Sequence, residues 1–188
     1  MLRSIALAIL LTIGAAQVSA QQSATAESSP SYEELAFGAS YFSDGHGDWR
    51  LRCRKTENAT DPCQLHQFLY NAAGSTVAQF VVYDLPPGDS AAVVGATVTV
   101  PLETSLTEQL KIQIDDHPVK IYPFAYCNKI GCHARIGFTP VELQWLKQGS
   151  RALLATVPYR DQGNPVVLPL SLSGFTAGYK AVLDNNSQ

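Results

Sequence analysis

Residues 49–54 have the sequence WRLRCR, in which apolar and cationic side chains alternate without exception. A period of two is typical of a β-strand that has one face in a core and the other in water. We therefore expect Trp49 to be buried at the start of the apolar face. The opposite, cationic face consists of Arg50, Arg52 and Arg54, followed by Lys55.

Other short segments with the same strand patterning follow along the chain, separated by turn residues such as Pro86-Pro87-Gly88-Asp89. The predicted strands cover 65–70, 77–85, 91–100, 110–114, 119–124, 151–159 and 166–172, with one more inside 126–138. Many short strands with regular turns predict an all-β fold, either a β-sandwich or a small closed β-barrel. One or two short helices and two disulfides complete this prediction.

One helix is predicted over 140–148. The run Thr139-Pro140-Val141-Glu142 has the capping-box pattern with proline at the first helical position, and Gly149 supplies a stop signal. A second short helix is expected to close the domain over 175–183.

The N-terminus has the pattern of an export signal. Arg3 supplies the positive charge, residues 5–16 are apolar, and Val18-Ser19-Ala20 matches a small-residue cleavage site. The apolar run is shorter than the roughly 20 residues that a spanning helix needs, which disfavours the alternative of a retained membrane anchor. The predicted organisation is a signal peptide over 1–20, a disordered leader over 21–40, a single β domain over 41–184 and a polar tail over 185–188. Apolar and aromatic residues within 32–42 also allow a short helix or a segment that docks on the domain.

The mature chain, cleaved near Ala20, is expected to be periplasmic or secreted and to contain no transmembrane segment. The sequence has 13 Lys and Arg against 16 Asp and Glu, a formal charge of −3. Loss of Arg3 with the signal leaves 12 basic residues against 16 acidic ones, a charge of −4. A weakly acidic chain argues against nucleic acid as the partner, because phosphate-dominated binding needs a clustered basic surface.

The four cysteines, an even number behind an export signal, predict two disulfides. Four cysteines allow three pairings, and we choose the nearest neighbours in sequence: Cys53 with Cys63, and Cys127 with Cys132. A zinc site is the alternative. The first pair is spaced too widely for a zinc knuckle and the second has no matching half, so disulfides are favoured.

No catalytic, cofactor-binding or metal-binding residues are predicted. The histidines are scattered and lack the spacing of a ligand pair: His46, His66, His117 and His133. Asp115-Asp116 precedes His117-Pro118 between apolar segments, which indicates a turn rather than a pair of working carboxylates. Ser171 and Ser173 lie outside a nucleophile-elbow motif. A redox role for the second cysteine pair is disfavoured because redox pairs are usually closer in sequence.

The cationic face of residues 49–54 has two interpretations. It could bind anionic lipid headgroups, polysaccharide or an acidic partner, since clustered charge of one sign attracts the opposite sign. Alternatively it is the solvated face of a half-buried strand, at a sheet edge where charge discourages aggregation. Simple alternation favours the second interpretation.

Short motifs spread from about Asp48 to Leu183 carry a family resemblance. In chain order they are Asp48-Trp49, Cys63-Gln64-Leu65, Pro101-Leu102, Ile114-Asp115, Tyr122-Pro123-Phe124, Gly131-Cys132-His133-Ala134, Leu146-Lys147-Gln148-Gly149 and Ser171-Leu172-Ser173-Gly174-Phe175-Thr176-Ala177. With these motifs and the paired cysteines, the chain resembles the invasion-associated locus B family of exported proteobacterial proteins. One departure is Glu103, which stands where the family often has glycine.

The resemblance implies an exported, non-enzymatic interaction protein of the cell envelope or the secreted fraction, linked in some pathogenic members to the invasion of host cells. Its partner would be an envelope or host protein or surface. One alternative is a periplasmic envelope-stability or chaperone-like protein. A hydrolase or redox enzyme is the other, and it would need a cleft that joins His133, Asp115 or a reducible cysteine pair.

Overall fold

The computed structural model of the protein describes residues 30–57, 60–86, 88 and 90–187. The predicted signal peptide over 1–20, and residues 21–29 of the predicted leader, lie outside these ranges. In the described ranges the chain forms two antiparallel sheets, one short 3-10 helix (Tyr32–Glu34) and two α-helices.

The larger sheet is built from two stretches of chain. Its strands are β1 (Ser40–His46), β2 (Trp49–Arg54), β3 (Cys63–Tyr70), β4 (Thr76–Asp84), β5 (Val94–Val100), β8 (Phe124–Asn128) and β9 (Gly131–Phe138). The smaller sheet contains β6 (Leu110–Ile114), β7 (Lys120–Tyr122), β10 (Arg151–Thr156) and β11 (Val166–Ser171). Their spatial orders are β1-β2-β3-β4-β5-β9-β8 and β11-β10-β6-β7. Helix α1 (Pro140–Gln148) joins β9 to β10, and α2 (Phe175–Asn186) ends the fold.

The described strands form two sheets with no closed barrel, so the predicted all-β class is confirmed as the β-sandwich alternative. Apolar side chains of both sheets and of α2 share one core. Trp49 lies at its centre with no exposed surface, as predicted, and makes edge contacts with Phe80 and Phe175 at ring-centroid distances of 6.0 and 5.4 Å. Neither described helix is long and apolar enough to cross a membrane.

Strand β2 alternates between buried and exposed residues over its whole length, as the WRLRCR pattern predicts. It is not an edge strand, however, because β1 pairs with its other side, with Phe42 opposite Arg52. The suggested role of its charges in protecting a sheet edge is therefore wrong. Strand β1 runs through most of the turn expected over 44–48, and only Gly47 and Asp48 form the turn.

The strand predicted over 119–124 is divided between the two sheets. Strand β7 pairs with β6 as the predicted hairpin in the small sheet, whereas Phe124 already belongs to β8 in the large sheet. Pro123 separates them, and a residue without an N–H cannot continue a ladder on both sides. This crossing brings the second cysteine pair to the edge of the large sheet.

Helix α1 spans Pro140–Gln148 and begins with the predicted capping box. Thr139 Oγ1 accepts a hydrogen bond from the backbone of Glu142 at 3.3 Å, and the Glu142 carboxylate accepts one from the Thr139 backbone at 2.9 Å. Helix α2 is longer than expected and continues to Asn186. Much of the polar tail predicted over 185–188 is therefore helix, and Asn186 contacts the start of β3.

The part of the predicted leader that the structure describes, residues 30–40, contacts the domain, as the docking alternative for 32–42 expects, and is not a disordered leader. Tyr32 and Tyr41 donate hydrogen bonds at 2.9 Å to the carboxylate of the buried Asp61. Hydrogen bonds from the Thr56 backbone and from the two tyrosine hydroxyls lower the pKa of Asp61. Lys55 donates to the carbonyl of Tyr32 at 2.8 Å, so polar contacts fix this segment.

Candidate functional site

The outer face of the large sheet carries four exposed arginines, which we call the arginine face: Arg50, Arg52, Arg54 and Arg135. Three come from β2 and the fourth from β9. Antiparallel register places Arg50 and Arg135 in one row across five strands, with His66, Val81 and Thr97 between them. Sequence patterning alone could not place Arg135 on the same face as the three arginines of β2, because it does not give the order of the strands in the sheet.

None of the four arginines of the arginine face forms an ion pair within the described residues. The outward positions of β2, β3, β4, β5 and β9 contain no Asp or Glu. The ion pairs that the described residues form lie elsewhere and involve other cations. The chain as a whole is acidic, with a formal charge of −3, whereas the outward positions of these five strands carry four arginines.

Aromatic rings lie beside two of the arginines. The Arg50 guanidinium is 4.7 Å from the centre of the Phe42 ring, and that of Arg135 is 6.0 Å from the Tyr126 ring. Cation–π contacts of this kind orient a guanidinium without neutralising it. The face therefore presents oriented cations next to exposed apolar surface from Tyr126 and Phe68.

Two buried histidines lie on the outer side of the sheet, His66 in the row that joins Arg50 to Arg135 and His133 in the next row. His66 Nε2 is 3.0 Å from Gln79 Oε1, and His133 Nδ1 is 2.9 Å from Thr99 Oγ1. Burial lowers the pKa of both histidines, and the nearby positive charges of Arg52 and Arg50 lower that of His66 further. The neutral forms are favoured, so these rings add little charge to the face near neutral pH.

A cavity of about 450 Å³ opens at one end of this face, where β2, β3, β4 and α2 meet. We call it the Arg52–Arg54 cavity. The polar side chains that line it are Ser40, Arg52, Arg54, Gln64, Tyr83, Asp84 and Asn186, and the Cys53–Cys63 disulfide forms part of its wall. Its volume falls in the range of small-ligand sites.

The wall of this cavity is held by a disulfide and by the last turn of α2. Cys53 lies directly opposite Cys63 and is bonded to it. Asn186 accepts a hydrogen bond from the Cys63 backbone N–H at 2.9 Å and donates to the Cys63 carbonyl at 3.1 Å. It also donates to Asp84 at 2.7 Å. These contacts connect β2, β3, β4 and α2 around the cavity.

The second disulfide joins Cys127 to Cys132 directly across the β8–β9 hairpin, so the structure contains both pairs chosen from sequence. Lys55 does not belong to the arginine face, since it lies past the end of β2 with its ammonium group over the Tyr32 ring.

The residues that a hydrolase would need are not brought together. His133 lies on the outer face of the large sheet, whereas Asp115 follows β6 in the small sheet and accepts hydrogen bonds from the Ser150 hydroxyl at 2.9 Å and the Arg151 N–H at 3.1 Å. Burial alone would raise the pKa of Asp115, but these hydrogen bonds outweigh it and lower the pKa. Ser171 donates to Asp48 at 2.5 Å. In the described part of the chain, no three His, Cys, Asp or Glu side chains are grouped to hold a metal ion.

Comparison with known proteins gives consistent matches. The family model described as "Invasion associated locus B (IalB) protein" matches residues 49–183. Two invasion protein B homologues of Brucella abortus, from strain 2308 and from biovar 1 strain 9-941, are each 26% identical over 144 residues, which is 76% of this chain and 80% of theirs. The crystal structure of invasion associated protein B from Bartonella henselae is similar at a TM-score of 0.66 and 22% identity, covering 78% of this chain and 97% of that one. The solved structure supports the two-sheet fold.

Proposed function

Because the chain belongs to the invasion-associated locus B family, we propose that it is an exported, non-enzymatic interaction protein of the cell envelope or the secreted fraction. The Brucella and Bartonella relatives are named for invasion and not for a catalysed reaction. The two disulfides and the export pattern of residues 1–20 support an oxidising compartment. The proposal extends to a link with host-cell invasion if the source organism is a pathogen.

The arginine face is the observation that carries the proposal. Its four exposed guanidinium groups lack ion pairs among the described residues, although the chain as a whole is acidic. Guanidinium is weakly hydrated and matches the oxygens of phosphate and carboxylate groups. We propose that this face binds the anionic lipid headgroups of a membrane surface.

Vesicle binding tests this function. Wild-type protein should sediment with phosphatidylglycerol vesicles at low ionic strength and not with phosphatidylcholine vesicles, and added salt should weaken the binding. Replacing Arg50, Arg52, Arg54 and Arg135 by glutamine should remove most of it. Each exposed cation near an anionic bilayer contributes on the order of 1 kcal/mol.

The matched control removes the same charge from other surfaces through four substitutions: Lys111→Gln, Lys147→Gln, Arg151→Gln and Arg160→Gln. Its binding should resemble that of the wild type if the arrangement of the arginines matters. Equal loss in both quadruple variants, or no difference between either variant and the wild type, would overturn the proposal.

A further inference from the structure

We infer that the Arg52–Arg54 cavity binds a single phosphate group carried by an envelope component. This inference rests on the proposed function, since the cavity opens at the end of the arginine face. It adds a specific site to a surface that would otherwise attract anions only diffusely.

Two guanidinium groups reach this cavity from one strand. Arg52 and Arg54 are two residues apart on the outer side of β2, roughly 7 Å apart along the strand, and both line the cavity. Neither forms an ion pair within the described residues. Paired guanidinium forks at this spacing can contact different oxygens of one tetrahedral anion.

Neutral donors complete the lining on the neighbouring strands. Gln64 lies next to Arg52, its register partner, and Tyr83 and Ser40 also line the cavity. A carboxylate offers two oxygens in one plane, whereas a phosphate ester offers three terminal oxygens in three directions. Donors arriving from β1, β2, β3 and β4 therefore suit phosphate better.

One carboxylate, that of Asp84, also lines the cavity. Its Oδ1 accepts the hydrogen bond from Asn186 at 2.7 Å, which directs part of its charge toward α2. The lining thus has two arginines against one carboxylate that already has a hydrogen-bond donor. A group with a single negative charge or more is attracted on balance.

The strands that carry the donors are joined to each other before any ligand arrives. The disulfide at Cys53, between the two arginines in sequence, joins their strand to the strand of Gln64. The Tyr83 ring lies against Gly95, where a Cβ atom would overlap the ring. Glycine therefore allows the Tyr83 ring to lie flat on the sheet over β5. A backbone that is already held in place lowers the entropic cost of binding, which favours a specific site.

Isothermal titration with inorganic phosphate at low ionic strength tests the site. Wild-type protein should bind one phosphate per chain. The Arg52→Gln/Arg54→Gln variant should bind roughly tenfold more weakly or worse, as expected for loss of hydrogen bonds from charged groups. The Arg50→Gln/Arg135→Gln variant makes the same charge change on the same face outside the cavity and should retain affinity. Equal loss in the two variants, or no saturable binding by wild type, would overturn the inference.

Tyr83→Phe provides a second variant that leaves the charge and the ring in place. It should weaken phosphate binding by severalfold, because one neutral hydrogen bond is lost. The source of the phosphate is tested by comparing glycerol phosphate with phosphatidic acid vesicles. Much tighter binding to the vesicles identifies a lipid headgroup, and similar binding identifies a free phosphate ester; both outcomes support the site.

Different results would contradict the proposed membrane binding and the proposed phosphate site. If the four-arginine variant loses vesicle binding while the two double variants lose phosphate affinity equally, the cavity is not a site and the proposed function still stands. If wild-type protein binds phosphate but not anionic vesicles, the membrane surface is the wrong partner and the cavity remains.

Discussion

The indole Nε1 of Trp49 donates a hydrogen bond to the backbone oxygen of Ser171 at 3.0 Å. Trp49 opens β2 in the large sheet, and Ser171 ends β11 in the small one. Gln67, on β3, forms two further bonds to the same residue, donating to the Ser171 oxygen and accepting from its N–H, both at 3.0 Å. A buried indole and a buried amide thus join the two sheets by polar contacts as well as by packing.

The first prediction concerns this junction between the sheets. Replacing Gln67 by leucine should lower the free energy of unfolding by about 1–3 kcal/mol, because the Ser171 N–H loses its partner while the Ser171 oxygen keeps Trp49. Urea denaturation followed by tryptophan fluorescence measures the change. Gln64→Leu, an exposed position on the same strand, serves as the control and should change stability by less than about 0.5 kcal/mol. Equal losses of stability in the two variants would show that the contacts of Gln67 with Ser171 do not stabilise the fold.

The sequence predicts the elements of this fold better than their arrangement. Helix α1 and strand β6 have the predicted bounds, because a capping box and a strict alternation are local signals. The pairing of β5 with β9, across the 30 residues of chain between them, leaves no local signal. Sequence patterning also could not show that Pro123 is where the chain crosses between sheets.

In the candidate site, too, the sequence predicts local features but not how distant parts of the chain meet. Alternation in β2 predicts which arginines face outward, and all three do. Their relation to Arg135 depends on the strand order, and the cavity depends on Tyr83 and Asn186 meeting them from distant parts of the chain. Lys55 extends the cationic run of β2 in sequence, but β2 ends at Arg54 and the alternation of buried and exposed residues stops there.

A second prediction is that the two disulfides stabilise the fold by different amounts, because they close loops of different length. The partners are 10 residues apart for Cys53–Cys63 and 5 for Cys127–Cys132. Loop-closure entropy then predicts losses of about 3 and about 2 kcal/mol when each pair is replaced by alanine. Non-reducing peptide mapping should first show these two links in native protein. Free thiols or crossed pairs would contradict the assignment, and reversal of the two losses would contradict the entropic explanation.

A third prediction concerns export. Protein from the periplasm or culture medium should have the mass of a chain that begins near Gln21, because Val18-Ser19-Ala20 matches a small-residue cleavage site. Ala20→Arg should leave the precursor uncleaved, since a long cation does not fit that pattern. Ala26→Arg, beyond the expected cleavage point, is the control and should be processed normally. An intact N-terminus in membrane-bound wild-type protein would mean that residues 1–20 are an anchor.

The last prediction is a loss of stability in mild acid that originates on the arginine face. Burial holds the pKa of His66 and His133 below the ordinary histidine value of 6.5, and the positive charges of Arg52 and Arg50 act in the same direction on His66. The unfolded chain takes up protons near its ordinary histidine pKa, whereas the folded chain takes them up only at lower pH. The unfolded state therefore binds more protons below about pH 6.5, and the free energy of unfolding should fall as the pH drops through that value.

Urea midpoints measured between about pH 7.5 and about pH 5.5, above the range in which most carboxylates titrate, isolate this contribution. His66→Gln/His133→Gln should flatten the pH dependence even if it lowers stability at neutral pH. Arg50→Gln/Arg52→Gln should flatten it less, because it removes the nearby positive charge while both rings stay buried. A double-histidine variant with the slope of the wild type would show that the two rings are protonated equally readily in the folded and unfolded states, and would remove the electrostatic link between the histidines and the arginine face.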